Sequence, residues 1–177
     1  ANIETAVKVL TGTKFRNAGQ ICISPSRFIV QKNVYDKFIK LFVESVKKIK
    51  VGDGLEDNVQ MGPLIDARRL PIMEDFIADA KNCGAKVEVG AERIGNLGYF
   101  FAPTVLSDVP DSAKIMIEEP FGPVAPISEF HDFDEVVHEA NRLPYGLAAY
   151  AYTKSTKPAA AIGSALRVGI IGTNNHG

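Results

Sequence analysis

The chain has 177 residues, 46% of them hydrophobic and 23% charged, a balance that fits one soluble globular domain with a sizeable core. A formal net charge of −1 gives no electrostatic footprint for nucleic acid or an anionic membrane, and no apolar run reaches the length of a membrane span. Two cysteines make no disulfide framework and Ala1-Asn2-Ile3-Glu4-Thr5 lacks the features of a signal peptide, so the expected setting is reducing and cytoplasmic.

Ile3, Ala6, Val7 and Leu10 fall at i, i+3, i+4, i+7 and predict an amphipathic helix. Residues 21–30 are rich in β-formers and predict a strand, with Pro25 near its start. The clearest helix spans 34–49. Phe38, Leu41, Phe42, Ser45, Val46 and Ile49 line one face, and Lys37, Lys40, Glu44, Lys47 and Lys48 the other, a solvated one. Asp66 is the expected N-cap of the next helix, with Ile72, Met73, Phe76, Ile77 and Ala80 inward and Gly84 as its C′ residue. Pro71 removes an N–H near the first turn and should kink the helix or delay its start. Strands follow at 86–89, at 100–106 with Pro103 interrupting, and at 124–130. Phe133, Val136, Val137 and Ala140 mark a helix that Asp132 or Asp134 could cap. A buried strand at 147–152, a short helix at 159–166 and a last strand at 168–173 complete the pattern.

This alternation predicts an α/β fold, a layered, mostly parallel sheet covered by helices. No repeat, low-complexity tract or linker divides it, so residues 1–177 are expected to form one domain. The chain lacks an initiator Met, starts almost at once in a helix and stops after an apolar strand. We therefore expect a segment of a longer protein.

Two clusters could carry chemistry. In Asn17-Ala18-Gly19-Gln20-Ile21-Cys22 a thiol stands at the seam between a helix and a strand. A thiol is a nucleophile as thiolate, in a prepared environment; otherwise a free Cys is a small buried hydrophobe. In Ile117-Glu118-Glu119-Pro120-Phe121-Gly122-Pro123-Val124, two prolines and a glycine around an aromatic make a rigid turn beside carboxylates. A carboxylate fixed there can accept hydrogen bonds from two vicinal hydroxyls, as proteins hold a ribose; the plain alternative is a solvated acidic turn. No G-x-G-x-x-G fingerprint and no zinc-ligand spacing occurs. His131 and His138 read as surface residues and His176 lies near the chain end, so a Cys–His hydrolase lacks a partner for its thiol.

Together, Phe15-Arg16-Asn17-Ala18-Gly19-Gln20-Ile21-Cys22 and Glu118-Glu119-Pro120-Phe121-Gly122-Pro123-Val124 resemble the two signatures of the NAD(P)-dependent aldehyde dehydrogenase superfamily. Met61-Gly62-Pro63-Leu64-Ile65, Gly98-Tyr99-Phe100, Ala102-Pro103-Thr104-Val105 and Tyr145-Gly146-Leu147-Ala148-Ala149 occur in the same order there. The resemblance covers the whole chain and implies that family's catalytic domain. It implies Cys22 as nucleophile, its backbone N–H as an oxyanion donor, Glu119 on the nicotinamide ribose, Phe121 near the nicotinamide, and Arg69 as a further ribose contact. It also implies NAD or NADP held mainly by a separate domain, a general-base glutamate and a second oxyanion donor before Ala1, and a homodimer or homotetramer. Glu4, on the solvated side of its helix, is not expected to be the base.

In similar semialdehyde dehydrogenases an arginine six residues before the nucleophile binds the substrate's distal carboxylate, which implies that role for Arg16; a scaffold arginine is the alternative. Succinate semialdehyde is then the first choice of substrate, and longer oxo-acid semialdehydes the next. Some relatives carry a redox-switch Cys two residues after the nucleophile, where this chain has Ser24. Cys83 is expected to be a packing residue. A competing reading makes the chain a non-catalytic assembly module with Cys22 buried as a structural residue.

Overall fold

The computed structural model describes residues 1–175. Helix α1 (Ile3–Phe15) is N-capped by Asn2, whose side chain accepts from the Thr5 N–H. Its buried stripe runs through Ala6, Val7 and Leu10 as the spacing predicts, and continues to Lys14 and Phe15. Strand β1 (Phe28–Gln31) follows, then α2 (Tyr35–Val46), which buries Tyr35, Phe38, Phe42 and Val46. The rings of Phe15, Phe28 and Phe38 surround Phe42 with centroids 6.2, 5.3 and 5.4 Å away. Contacts of this kind add to the burial of apolar area.

Helix α3 (Arg69–Asn82), β2 (Lys86–Val89), β3 (Thr104–Ser107), β4 (Val124–Phe130) and α4 (Phe133–Ala140) come next. The sheet order is β1-β4-β3-β2. β1 and β3 run parallel to β4, with Phe28 opposite Ile127 and Thr104 opposite Val124. β2 is an antiparallel edge with a bulge between Val87 and Val89. β3 and most of β4 are buried on both faces. Among the described residues, a second sheet holds β5 (Ala148–Ala151) and β6 (Ile170–Thr173), parallel to each other and connected through α5 (Thr156–Ala165). The expected mostly parallel α/β layering is present, split between two sheets.

Several boundaries differ from expectation for identifiable reasons. The strand predicted at 21–30 begins only at Phe28, because a hydrogen-bonded turn occupies 21–24 and Pro25 has no N–H to give a ladder. The strand predicted at 100–106 is confined to Thr104–Ser107, beyond Pro103, with Phe101 in an isolated bridge to Arg93. Asp66 does not cap α3. Its carboxylate accepts the Arg68 N–H at 2.9 Å, closing a turn ahead of the helix, and Pro71 sits harmlessly in the first turn. Ile72 and Phe133, expected inward, are more than one-third exposed. Asp132 does cap α4, accepting from the Glu135 N–H at 2.9 Å. The buried residue of α4 is Glu139, whose carboxylate takes hydrogen bonds from Arg27 at 2.8 Å and Arg142 at 2.8 and 3.0 Å. That cluster fastens the chain just before β1 to the end of α4.

Candidate active site

α1 ends at a single turn, Arg16–Gly19, in which Asn17, Ala18 and Gly19 all have left-handed φ, at 50°, 53° and 72°. Such a conformation costs a non-glycine residue about 1–2 kcal/mol, so surrounding contacts must hold it. Asn17 Nδ2 donates to the Gln20 carbonyl, and Gln20 Nε2 donates back to the Asn17 carbonyl, each at 3.1 Å. Gln20 Oε1 accepts the Ile65 N–H at 2.9 Å, which ties the turn to the segment ahead of α3. Gly19 is required by a close approach. A Cβ on it would lie 2.2 Å from the Gly122 carbonyl oxygen.

The nucleophile candidate follows at once. The Ser24 N–H donates to the Ile21 carbonyl at 2.9 Å, so Cys22 and Ile23 are the central pair of a tight turn. The Ser24 hydroxyl donates to the Lys14 carbonyl at 3.2 Å, and the Tyr150 hydroxyl to the Ile23 carbonyl at 2.9 Å. Cys22 itself is exposed, and its backbone N–H finds no acceptor among the described residues. An exposed thiol on a turn fixed from three directions, with an N–H left free beside it, is not a packing residue.

The acidic turn abuts this loop through the Gly19–Gly122 contact. Glu118 and Glu119 are exposed, Pro120 is buried, and Phe121 adopts φ 42°. Met73 of α3 fills the space where a Gly122 side chain would stand. No described residue donates a hydrogen bond to Glu119, so both of its oxygens remain free to accept. The Arg69 guanidinium, which opens α3, donates to the carbonyls of Pro120 and Phe121. Arg69 thus meets the acidic turn through its backbone, and burial lowers its pKa against the pull of Asp66 and Glu119. Arg69, Glu118 and Glu119 line one side of an open groove of about 430 Å³. A free carboxylate at the rim of a groove matches a group that presents two adjacent hydroxyls.

Lys14 lies under both loops at 1% exposure. Burial pushes its ammonium down to about 7, partly opposed by the negative charge of Glu119. Arg16, on the other side of the left-handed turn, is exposed and pairs with no carboxylate among the described residues. Cys22, Glu119, Phe121 and Arg69 are therefore brought onto adjoining loops, with Arg16 at the edge.

Other residues stand apart. Cys83 is not the packing residue expected. It is exposed at the C-cap of α3, where the helix end faces water. His131 and His138 are exposed, and His176 lies outside the described residues. Glu4 is exposed and pairs with Lys37 at 2.9 Å. Among the described residues no group of three or more His, Cys, Asp or Glu could hold a metal ion, and no helix is long and apolar enough to cross a membrane.

Sequence reasoning missed Lys14, Gln20, Tyr145 and Tyr150. For Lys14 the signal was present, since it continues the Val7–Leu10 stripe by one more turn. The Tyr145 and Tyr150 hydroxyls act across more than 25 and 125 residues of chain, respectively, and no local pattern could report that.

The fold and site define a class, the proteins in which a cysteine on a tight turn adjoins a carboxylate turn at a groove. The aldehyde dehydrogenase family model matches residues 1–177, and the chain belongs to that family. It is 46% identical over 174 residues to the probable succinate-semialdehyde dehydrogenase (NADP(+)) of Sinorhizobium fredii, covering 98% of this chain and 35% of the relative. It is 43% identical to the Escherichia coli succinate-semialdehyde dehydrogenase (NADP(+)), covering 98% of this chain and 36% of that protein. Among solved structures, the succinate-semialdehyde dehydrogenase from Burkholderia pseudomallei superposes with a TM-score of 0.97 at 38% identity, over 99% of this chain and 36% of that one. The chain thus spans about one-third of the length of the curated relatives it matches.

Proposed function

We propose that this chain is the nucleophile-bearing catalytic domain of an NAD- or NADP-dependent enzyme that oxidises succinate semialdehyde to the dicarboxylic acid. The observation that carries the proposal is the exposed Cys22 on a braced turn, directly after the left-handed loop that contacts the turn presenting Glu119. The Cys22 thiolate adds to the aldehyde carbon and forms a thiohemiacetal. Its backbone N–H donates to the oxyanion, an interaction typically worth about 3 kcal/mol in the transition state. The nicotinamide supplies a hydride acceptor. Water then hydrolyses the thioester left on Cys22. Glu119 would accept from the two ribose hydroxyls and Phe121 would pack beside the ring, while Arg69 sets the turn that carries both and would lie near the ribose. Arg16 pairs with the distal carboxylate, a task suited to a guanidinium left without a protein partner. The general base and most of the cofactor's contacts lie outside these residues, so the 177-residue chain alone is proposed to turn over little aldehyde. The complete enzyme is proposed to be a cytoplasmic homodimer or homotetramer.

The assembly reading loses its premise, because Cys22 is exposed. One kinetic experiment on the complete enzyme tests the rest. Cys22→Ala should abolish oxidation of every aldehyde. Arg16→Leu should raise KM for succinate semialdehyde about 10- to 100-fold, the loss of one charge-assisted contact, and leave a neutral aldehyde almost unaffected. Full turnover by Cys22→Ala would remove the mechanism; equal effects of Arg16→Leu on both aldehydes would remove the substrate.

A further inference from the structure

The segment that enters the second sheet touches both halves of the site. The Tyr145 hydroxyl donates to the carbonyl of Ile117, two residues before Glu119. The Tyr150 hydroxyl donates at 2.9 Å to the carbonyl of Ile23, the residue after Cys22. The two tyrosines are five residues apart and held by the same local structure. A Cβ on Gly146 would lie 2.8 Å from Val168 Cγ1 and 2.9 Å from the Arg167 carbonyl oxygen, so the turn after Tyr145 packs directly onto the chain leading to β6. Within the sheet, Tyr150 stands opposite Gly172, whose missing side chain leaves room for the ring: a Cβ there would lie 3.1 Å from Tyr150 Cδ1. Arg142 adds a third tie, donating to the Met116 carbonyl at 3.1 Å.

We propose that Tyr145 and Tyr150 are positioning residues that act as one two-point brace, fixing the separation and mutual orientation of the Cys22 turn and the Glu119 turn. The proposal rests on the roles given above to Cys22 and Glu119. The physical reason is that hydride transfer needs the carbon bonded to Cys22 to face a ring whose ribose is held by Glu119. Small displacements of either turn misalign the pair. The loop just before the Cys22 turn already meets the acidic turn at Gly19 and Gly122, and Gln20 and Arg69 link the two to the chain around the start of α3, yet none of these contacts engages residues 21–24. Two hydroxyl anchors five residues apart on one segment limit how far the two turns can shift relative to each other. Burial raises the Tyr150 pKa, with a smaller contribution from the adjacent Cys22, so the phenol stays protonated and remains a donor.

The test is a double-mutant cycle in the complete enzyme with Tyr145→Phe and Tyr150→Phe, which remove only hydroxyls. Each single variant should lower kcat about 3- to 10-fold, the worth of one hydrogen bond. Tyr150→Phe should also slow iodoacetamide labelling of Cys22, whereas Tyr145→Phe should raise KM for the cofactor. The double variant should fall short of the product of the singles, because a brace released at one end no longer fixes the other. Melting temperatures should change additively, as for two separate hydrogen bonds. Loss of activity in proportion to lost stability, with independent effects on kcat, would overturn the brace. Wild-type kinetics in both single variants would overturn it as well. Failure of the underlying reading looks different: Cys22→Ala would then retain turnover, whatever the tyrosine variants do.

Discussion

The two sheets of this chain are built to different standards. In the four-stranded sheet Val105, Leu106, Val124, Ala125 and Ile127 are wholly buried. In the β5–β6 pair only Ala151 is buried, α5 buries no residue, and Leu147 and Ile170 are 49% and 59% exposed. The difference teaches where rigidity resides. The Cys22 and Glu119 turns grow from the dense region, out of the ends of α1 and into β4. The second sheet touches them through single hydroxyls. Local stability follows buried apolar contact, so β5 and β6 should open at lower free energy than β3 and β4.

The largest effect expected from this contrast is at Phe42, which is wholly buried and surrounded by three aromatic rings. Phe42→Ala should cost about 3–5 kcal/mol, the transfer term plus the cavity term. Urea unfolding with an unchanged m-value measures it. Hydrogen exchange should show the loss in the amides of β3 and β4, while those of β5 and β6, already opening locally, change little. Equal loss of protection in both sheets would mean that they unfold as one unit.

Next in size is Lys14. The dense region tolerates a buried amine, and its pKa of about 7 makes stability depend on pH. The unfolded chain keeps a lysine protonated up to its ordinary value, above 10, while the folded chain sheds that proton from about 7 upward. Between these values the unfolded state binds more protons, so this group makes stability rise with pH across that window. Below about pH 7 the whole penalty is present. Lys14→Met keeps the volume and removes the charge; it should stabilise the fold by about 2 kcal/mol at neutral pH and flatten the rise toward pH 10. A destabilised Lys14→Met with the rise intact would show that the ammonium is not the penalised group.

How much of this was legible beforehand follows the same division. Strong local periodicity gave α1 and α2, and of the two caps open for α4, Asp132 and Asp134, the structure uses Asp132. The strand expected over 124–130 is β4 itself, Val124–Phe130. The weakest boundaries lay beside prolines and turns: 21–27 reads as β-forming residues, yet the turn centred on Cys22 and Ile23 overrides their propensity. Cys22 and Glu119 stood out through their motifs. Nothing in the local sequence distinguishes Tyr150, which gains its importance from Ile23, far away in the chain. Glu139 was hidden for a related reason, since a buried carboxylate is permitted only by two arginines, one of them Arg27, that no spacing links to it.

The smallest predicted effect is at Ile170, the outward residue that opens β6. Ile170→Thr keeps the β-branched shape, and so the preference for a pleated strand, while replacing a methyl-bearing arm with a hydroxyl. With more than half of the side chain in water, little apolar area leaves the solvent on folding, and the change should stay within about 0.5 kcal/mol. Urea midpoints of the isolated chain and of the complete enzyme give two separate readings. A shift of that size in both keeps β6 a solvent-facing strand whose contribution to the site runs through Gly172 and Tyr150. A loss several times larger in the complete enzyme alone would show that another part of the protein seats on Ile170, and the contrast between the two sheets would then describe this segment and not the enzyme.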